Sequence, residues 1–579
     1  MMITHVFSAR KALKVGLVLA ATASASGFAL AQGTTSSGGT DTSASGAVAN
    51  AATTPVATVP AAPVLSPEAI ALRTALEQRL GRNSTALTAY AGNTFRPIWT
   101  SPDGKLTEAG KTLLSVLAKA ADHALPASRY GAAALTSRAS SAGTNAASYE
   151  ADLAKAYLTY AKDVTSGLLN PRSIDRELHI DPEVVDPGDL IRRAASTPDM
   201  AAYLDSLPPQ DPIYRRLVER FAAFRTLGAT DLWGAPVSKG RTMRPGERSQ
   251  RVAQVRARLT AMGDLDPNVY DTPTAEAKAA DGTQVAANDV ATDVPILAFE
   301  PTLFDDQMVI ALQSFQARHG LNLDGVIGPA TLRQINTSPA TRAEQIAVNL
   351  ERMRWMNRDL GQRHILVNLA GFTMDVMSNG KSEFSQRVVI GKAKEHRTPE
   401  FSDEMTHMVI NPSWYVPTSI KEKEILPKLA KDPNYLVNRN MRMVNGRIIQ
   451  APGPRNALGT VKFMFPNRFA IYLHDTPSKR LFKRDVRAYS HGCVRVERPH
   501  EFAAFLLSAQ RENAEGYFQS ILKRRKERRV NLEQPLPVHL TYRSAWIDEN
   551  GVEQFRGDVY GRDRKIAAAL KNSGVSIVN

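Results

Sequence analysis

The 579-residue sequence predicts a multidomain α+β protein: an all-α scaffold, a small three-helix module, and a β-sandwich-like domain carrying a helical insertion. Three observations lead there. The chain is too long for one hydrophobic core. Apolar residues recur at intervals of three and four through the first half, and from His364 onward the period shortens to two. Hydrophobic content of 43% with 22% charged residues is ordinary for a globular chain.

Arg10, Lys11 and Lys14 precede an apolar, small-residue-rich stretch at 15–30, and Ala29-Leu30-Ala31 before Gln32 has the pattern of a signal-peptidase site. Residues 1–31 therefore read as a signal peptide for export. An uncleaved anchor is the alternative, disfavoured by the shortness of the apolar run. No later segment reads as a membrane span. Residues 32–65 are Gly/Ser/Thr/Ala/Pro-rich and nearly uncharged, which predicts a disordered tether.

Ser66-Pro67-Glu68 opens a helix, with a cap, a proline at the first position and an early acid. The helical pattern continues through residues 66–240, the scaffold. Within it Tyr149, Leu153, Tyr157, Tyr160 and Val164 recur at helix spacing, with Gly167 and Pro171 as the stop. Such an aromatic stripe is core far more often than a sugar platform.

Residues 243–336 form the next unit. One helix carries Val252, Val255 and Leu259, and a second carries Ala311, Phe315 and Gln316. Glycines at 320, 325 and 328 then mark tight turns. The Phe-Gln…Gly-Leu…Asp-Gly…Gly…Thr string resembles the small peptidoglycan-binding module of many wall enzymes. An acidic, Ala/Thr-rich insertion at 267–300 separates its two halves and reads as a long loop. Residues 337–363 follow as a linker helix.

Residues 364–556 carry short β-type runs separated by Gly371 and Asn379-Gly380, and a hairpin turn at Glu549-Asn550-Gly551. A helical insertion at 418–456 interrupts them. Ser419-Ile420-Lys421-Glu422 fits a capping box, and Pro427 predicts a kink. The insertion is either a lid or a packed surface excursion. Residues 557–579 are left as a C-terminal tail.

The chemistry concentrates in Tyr472-Leu473-His474-Asp475-Thr476-Pro477 and Ser490-His491-Gly492-Cys493-Val494-Arg495. Cys493 is the only cysteine in a chain predicted to reach an oxidising compartment, where structural cysteines pair. A thiol needs a base to become a nucleophile. His491 is two residues away, so an extended chain puts both side chains on one face. His474 stands 19 positions upstream at the end of an apolar run, a distance that suits a strand–loop–strand return. Gly492 lets a carbonyl approach the backbone N–H groups beside Cys493, which would hold an oxyanion.

These residues closely resemble the signature of the L,D-transpeptidase catalytic family. Asn411-Pro412-Ser413-Trp414-Tyr415-Val416-Pro417, Leu458-Gly459 and Lys462-Phe463-Met464-Phe465-Pro466-Asn467 match its larger Gram-negative members, as does the domain order. The resemblance implies that Cys493 attacks a diaminopimelate L-centre carbonyl in a tetrapeptide stem and releases D-alanine. His474 would be the base, oriented by a backbone carbonyl near Asp475. A side-chain amine on a second stem would resolve the thioester as a 3→3 cross-link. Ser490, His491, Gly492 and Asp475 would shape the site or its oxyanion hole. Trp414 and Tyr472 either wall the pocket or pack as core. Arg495 either fixes the loop through backbone carbonyls or meets a stem carboxylate. The implied partners are peptidoglycan stems and glycan, with other wall-synthesis enzymes, in the periplasm at the cell wall. Carbapenem-type β-lactams would acylate Cys493.

Other classes fit less well. An NlpC-type hydrolase places its cysteine before its histidine, the reverse of His474 and Cys493. Water in place of the amine would give an L,D-carboxypeptidase with the same residues. A wall-binding protein without activity needs no Cys493. Structural zinc takes paired ligands that a single cysteine does not supply, so neither metal nor cofactor is expected. The net charge of +15 and the run Lys523-Arg524-Arg525-Lys526 favour anionic wall or lipid, and no nucleic-acid motif accompanies them.

Overall fold

The computed structural model describes residues 64–577, apart from 141–144, 231 and 268–299. The signal peptide, nearly all of the tether and nearly all of the acidic insertion lie outside the described residues.

The scaffold is helical, as its apolar spacing predicts. Its first helix, Pro67–Leu80, starts where the sequence signals it, with the Ser66 hydroxyl accepting from the Ala69 N–H at 3.3 Å. The helix Ala146–Ser166 buries all five residues of the aromatic stripe, so the stripe is core. Gly167 stops it at φ +94°, and a Cβ there would lie 2.5 Å from the Trp355 ring. Trp355 belongs to the linker helix Pro339–Trp355, whose Glu351 carboxylate accepts from the Trp355 indole at 3.0 Å and from the Leu169 N–H at 2.7 Å. Arg354 pairs with the same carboxylate at 2.6 Å, both side chains fully buried. Scaffold and linker are thus one packed mass.

In the next unit, helices Gln250–Ala261, Asp306–Arg318 and Pro329–Ile335 enclose Val252, Val255, Leu259, Phe315 and Ile335. The motif string has a physical reason. The buried Gln316 amide donates to Asp324 Oδ1 at 2.8 Å and the Val326 carbonyl at 3.1 Å, while its oxygen accepts from Gly325 N–H at 3.0 Å.

The β domain contains β1 (Arg363–Asn368), β2 (Thr373–Ser378), β3 (Lys381–Gly391), β4 (Phe401–Ile410), β5 (Trp414–Tyr415), β6 (Met441–Val444) and β7 (Arg447–Gln450). There follow β8 (Val461–Met464), β9 (Leu473–His474), β10 (Ala488–Ser490), β11 (Val494–Val496), β12 (Arg528–Thr541), β13 (Ala545–Ile547) and β14 (Glu553–Phe555). Nine of them form one sheet in the order β10-β3-β11-β9-β8-β4-β12-β1-β2, and β2 also pairs with β3. The two-layered body therefore comes from a single sheet that closes on itself, which leaves few free edges. Its interior holds Val388, Ile390, Phe463, Leu473, Val494 and Val496, against helices Pro499–Leu507 and Ala514–Lys523.

Three sequence expectations are corrected. The insertion is not purely helical: β6 and β7 form a hairpin, joined by β5 into a separate three-stranded sheet. Its helix begins after Pro417, so Ser419 lies inside the first turn and makes no capping box. Pro427 lacks an N–H for the Lys423 carbonyl, and the backbone widens into a π-turn over Lys421–Ile425 just before it. At the C-terminus the expected tail contains the helix Arg562–Asn572, whose Ile566, Ala567 and Leu570 share a core with scaffold and linker residues.

Candidate active site

The site is set by strand register. β11 runs parallel to β9, with Val494 opposite Leu473 and Arg495 opposite His474. β8 runs antiparallel on the other side of β9, with Lys462 opposite His474 and Phe463 opposite Leu473. Opposed residues share a face, and alternation sends neighbours to the other one. Leu473, Phe463 and Val494 point into the core. Lys462, His474 and Arg495 therefore lie together on the opposite face, while Tyr472 and Cys493, the residues just before β9 and β11, pack partly against the core edge.

Cys493 is half-buried, and its Sγ reaches the Ala470 carbonyl at 3.6 Å. Burial pushes its thiol up to about 11, against the opposing effect of hydrogen bonding from Tyr472 and the charges of Arg495 and Lys462. Tyr472 neighbours Cys493 and also packs against the core; burial and the neighbouring Cys493 raise its phenol above the ordinary value. Asn467 shapes the approach to β9, with its amide donating to the Phe465 and Ile471 carbonyls at 2.6 and 2.8 Å.

His474 is buried, and its Nδ1 faces the Asp475 carbonyl at 2.5 Å. A carbonyl only accepts, so Nδ1 carries the proton and Nε2 keeps the lone pair a base needs. Burial, then the Arg495 charge, lowers the imidazole to about 3, although the Asp475 and Leu458 carbonyls favour the protonated form. The resting pair is therefore neutral thiol and neutral imidazole.

The Asp475 carboxylate is held by Thr460, Thr476 and Lys479. It accepts from Thr460 N–H at 2.9 Å, Thr460 hydroxyl at 2.8 Å, Thr476 N–H at 2.6 Å and Lys479 at 2.8 Å. Burial raises its pKa, but Lys479 and Thr460 outweigh that and hold it below the ordinary value. Gly459 is glycine for this reason: at φ +63° a Cβ would lie 2.3 Å from that carboxyl.

The loop before Cys493 is held from inside and from behind. Ser490 donates to the Cys493 carbonyl at 2.5 Å and accepts from the Gly492 N–H at 3.2 Å. That engages the Gly492 N–H within the loop itself. Gly492 sits at φ +114°, a conformation that favours glycine. Its carbonyl accepts from the buried Thr398 hydroxyl at 2.7 Å, and the same hydroxyl accepts from Gly391 N–H at 3.0 Å. Arg562 in turn donates to the Thr398 carbonyl at 2.9 Å and pairs with buried Glu400 at 2.9 Å.

His491 points elsewhere. Its Nε2 donates to Glu424 of the insertion, and its ring lies 4.6 Å from that of His396. Among the described residues neither His474 nor His491 hydrogen-bonds the sulfur, and His474 stands opposite Arg495, two residues beyond Cys493. Trp414 lies opposite Gln450 in the insertion's own sheet, outside the row. Arg495, expected either to tie down the loop or to meet a carboxylate, makes no hydrogen bond to a loop carbonyl among the described residues, and its buried Nε has no partner. Sequence reading missed Lys462, Thr398 and Glu424. Lys462 stood inside a quoted motif, but only the β8–β9 register reveals its neighbour.

Comparison with known proteins finds matches in three parts of the chain. Residues 362–520 match the L,D-transpeptidase catalytic domain. The chain carries an L,D-transpeptidase catalytic domain. Residues 299–335 match a "Putative peptidoglycan binding domain" and residues 85–220 a scaffold domain. The "Putative L,D-transpeptidase" of Haemophilus influenzae is 33% identical over 250 residues, 40% of this chain and 50% of that protein. The match thus spans about half of that relative's length. The N-acetylmuramoyl-L-alanine amidase CwlM of Mycobacterium tuberculosis is 35% identical over 96 residues, 17% of this chain and 18% of that protein. Among solved structures, the L,D-transpeptidase from Mycobacterium smegmatis aligns at 12% identity and a TM-score of 0.18, covering 31% of this chain and 58% of that one. No described helix is long and apolar enough to cross a membrane.

Proposed function

We propose that the protein is an exported L,D-transpeptidase that forms 3→3 peptidoglycan cross-links through a Cys493 thioester. The observation that carries this reading is the β9–β11 register, which sets His474, its Nδ1 fixed by a backbone carbonyl, opposite Arg495 beside the strand end that carries Cys493. In the first half-reaction the Cys493 proton passes to His474 Nε2 as Sγ bonds the L-centre carbonyl of diaminopimelate. The Cys493 N–H holds the oxyanion, and collapse breaks the peptide bond, with the D-alanine amine leaving on the proton from His474. In the second, an acceptor amine attacks the thioester carbonyl and gives its proton to His474; collapse breaks the C–S bond, and His474 returns that proton to the leaving sulfur as the thiol. Stem peptides and glycan are the partners, together with other wall-synthesis enzymes, the periplasm is the compartment, and carbapenems would acylate Cys493.

Purified protein with disaccharide-tetrapeptide tests it by mass spectrometry. The expected product is a dimer of two tetrapeptide units less one D-alanine, absent with Cys493→Ala. Tripeptide monomer alone would make the enzyme a carboxypeptidase. Dimer formation by Cys493→Ala would refute the assignment.

A further inference from the structure

Lys462, His474 and Arg495 stand in register on three adjacent strands, a cation on either side of the imidazole. Neighbouring strands lie about 4.8 Å apart, so the three side chains form one short row beside Cys493. Neither cation has a carboxylate. Among the described residues Lys462 makes no hydrogen bond or ion pair; its ammonium lies 5.7 Å from the centre of the Tyr472 ring, and Glu527 acts on it only from a distance. Arg495 has no ion pair among the described residues and a buried Nε without a partner. Other well-buried arginines here meet carboxylates: Arg354 with Glu351, Arg562 with Glu400, Arg352 with Asp563, Arg318 with Asp264. Arg342, equally buried, instead donates to Gln334 and Gln345, away from the site. Two cations without a carboxylate beside the nucleophile leave a place for an anion.

We propose that the Lys462–His474–Arg495 row is a carboxylate subsite, filled by a carboxylate of the donor stem, which both anchors the donor and allows His474 to become an imidazolium. Without an anion, protonating His474 would create three adjacent positive charges. With one, the net charge of the protonated row falls from three to two, so the imidazolium forms more readily and the base is assisted by its own substrate. The proposal rests on the transpeptidase reading above. Two carboxylates of a tetrapeptide donor share the required chemistry: that of the terminal D-alanine and that of the diaminopimelate D-centre.

The test uses the full protein and three donors: the free tetrapeptide, one amidated at the D-alanine carboxylate, and one amidated at the D-centre. Formation of the Cys493 thioester is followed by intact mass. One of the two amides should lower kcat/KM by about tenfold or more, the worth of a charge-assisted hydrogen bond, and so identify the source. In Lys462→Gln and Arg495→Gln the free donor should fall toward its amide, so that the preference shrinks to about twofold or less. Equal rates on all three donors in the wild type would overturn the subsite, as would a preference that survives both substitutions. Slower iodoacetamide alkylation in the variants with the preference intact would reassign the cations to the thiolate, against the proposal. No Cys493-dependent acylation with any donor would overturn the underlying reading, and the subsite with it; acylation without preference removes the subsite alone.

Discussion

Replacing Thr398 by valine keeps the shape of the side chain and removes one oxygen. That oxygen accepts from the Gly391 N–H at 3.0 Å and donates to the Gly492 carbonyl at 2.7 Å. Both glycines are buried, so the valine leaves a donor and an acceptor with no water to turn to. At ~1–3 kcal/mol for each orphaned group, the change costs about 2–6 kcal/mol. The loop carrying Cys493 can relieve half of that by swinging away from β3. Even ~2 kcal/mol diverted this way lowers the poised population roughly 30-fold, since 1.4 kcal/mol is a factor of ten. The assay is kcat/KM for thioester formation, with a urea midpoint measured in parallel. Valine should lower both, and Thr398→Ser, which keeps the hydroxyl, should restore most of each. A valine variant within about twofold of wild type in rate and unshifted in midpoint would refute the idea that the loop is held from behind.

Three further outcomes follow from the site. With His474 lowered to about 3 and Cys493 raised to about 11, the pair is neutral across the physiological range. Iodoacetamide alkylation of Cys493 should therefore climb roughly tenfold per pH unit well past neutrality, whereas a plateau starting near pH ~7 would reveal a preformed thiolate–imidazolium pair. His474→Ala should lose ~100-fold or more in acylation, while His491→Ala, which only frees Glu424, should keep most of the rate; the reverse order in stopped-flow acylation would move the base to His491. Gly459→Ala forces a Cβ against Asp475 and should destabilise the protein by more than ~2 kcal/mol, whereas Gly446→Ala, with open space around it, should cost only the ~1 kcal/mol of its left-handed backbone. Equal losses in denaturant titrations would show that the Asp475 contact is not the reason for the glycine.

What the sequence reveals here is whatever is written contiguously. The Tyr149–Val164 stripe, the Ser66-Pro67 start and the Ser490–Arg495 signature each sit within one element, so period and composition suffice. Lys462 needs the pairing of two strands before its neighbour can be known. Thr398, Gly492 and Arg562 are separated by 94 and 70 positions and meet only in the folded core. The capping box failed because Pro417 had already started the helix, and a local motif carries no record of the turn that precedes it. The lack of a side chain marks Gly492 as a special backbone position, and it sits at φ +114°, but its N–H contact to the Ser490 hydroxyl two residues away is written only in the folded loop.

One feature of the sheet bears on how the protein comes into being. β12 lies between β4 and β1, far inside the strand order, and is built from residues 528–541. Arg562, which steadies Thr398, comes later still. A chain made or threaded from its N-terminus thus presents the Cys493 thiol before the strand that closes its barrel has arrived. Until then the sheet is open at its middle, and the reactive residue sits in a body that cannot position it. The order of the chain acts as a timer: the chemistry is assembled last, only after scaffold, module and insertion have already emerged.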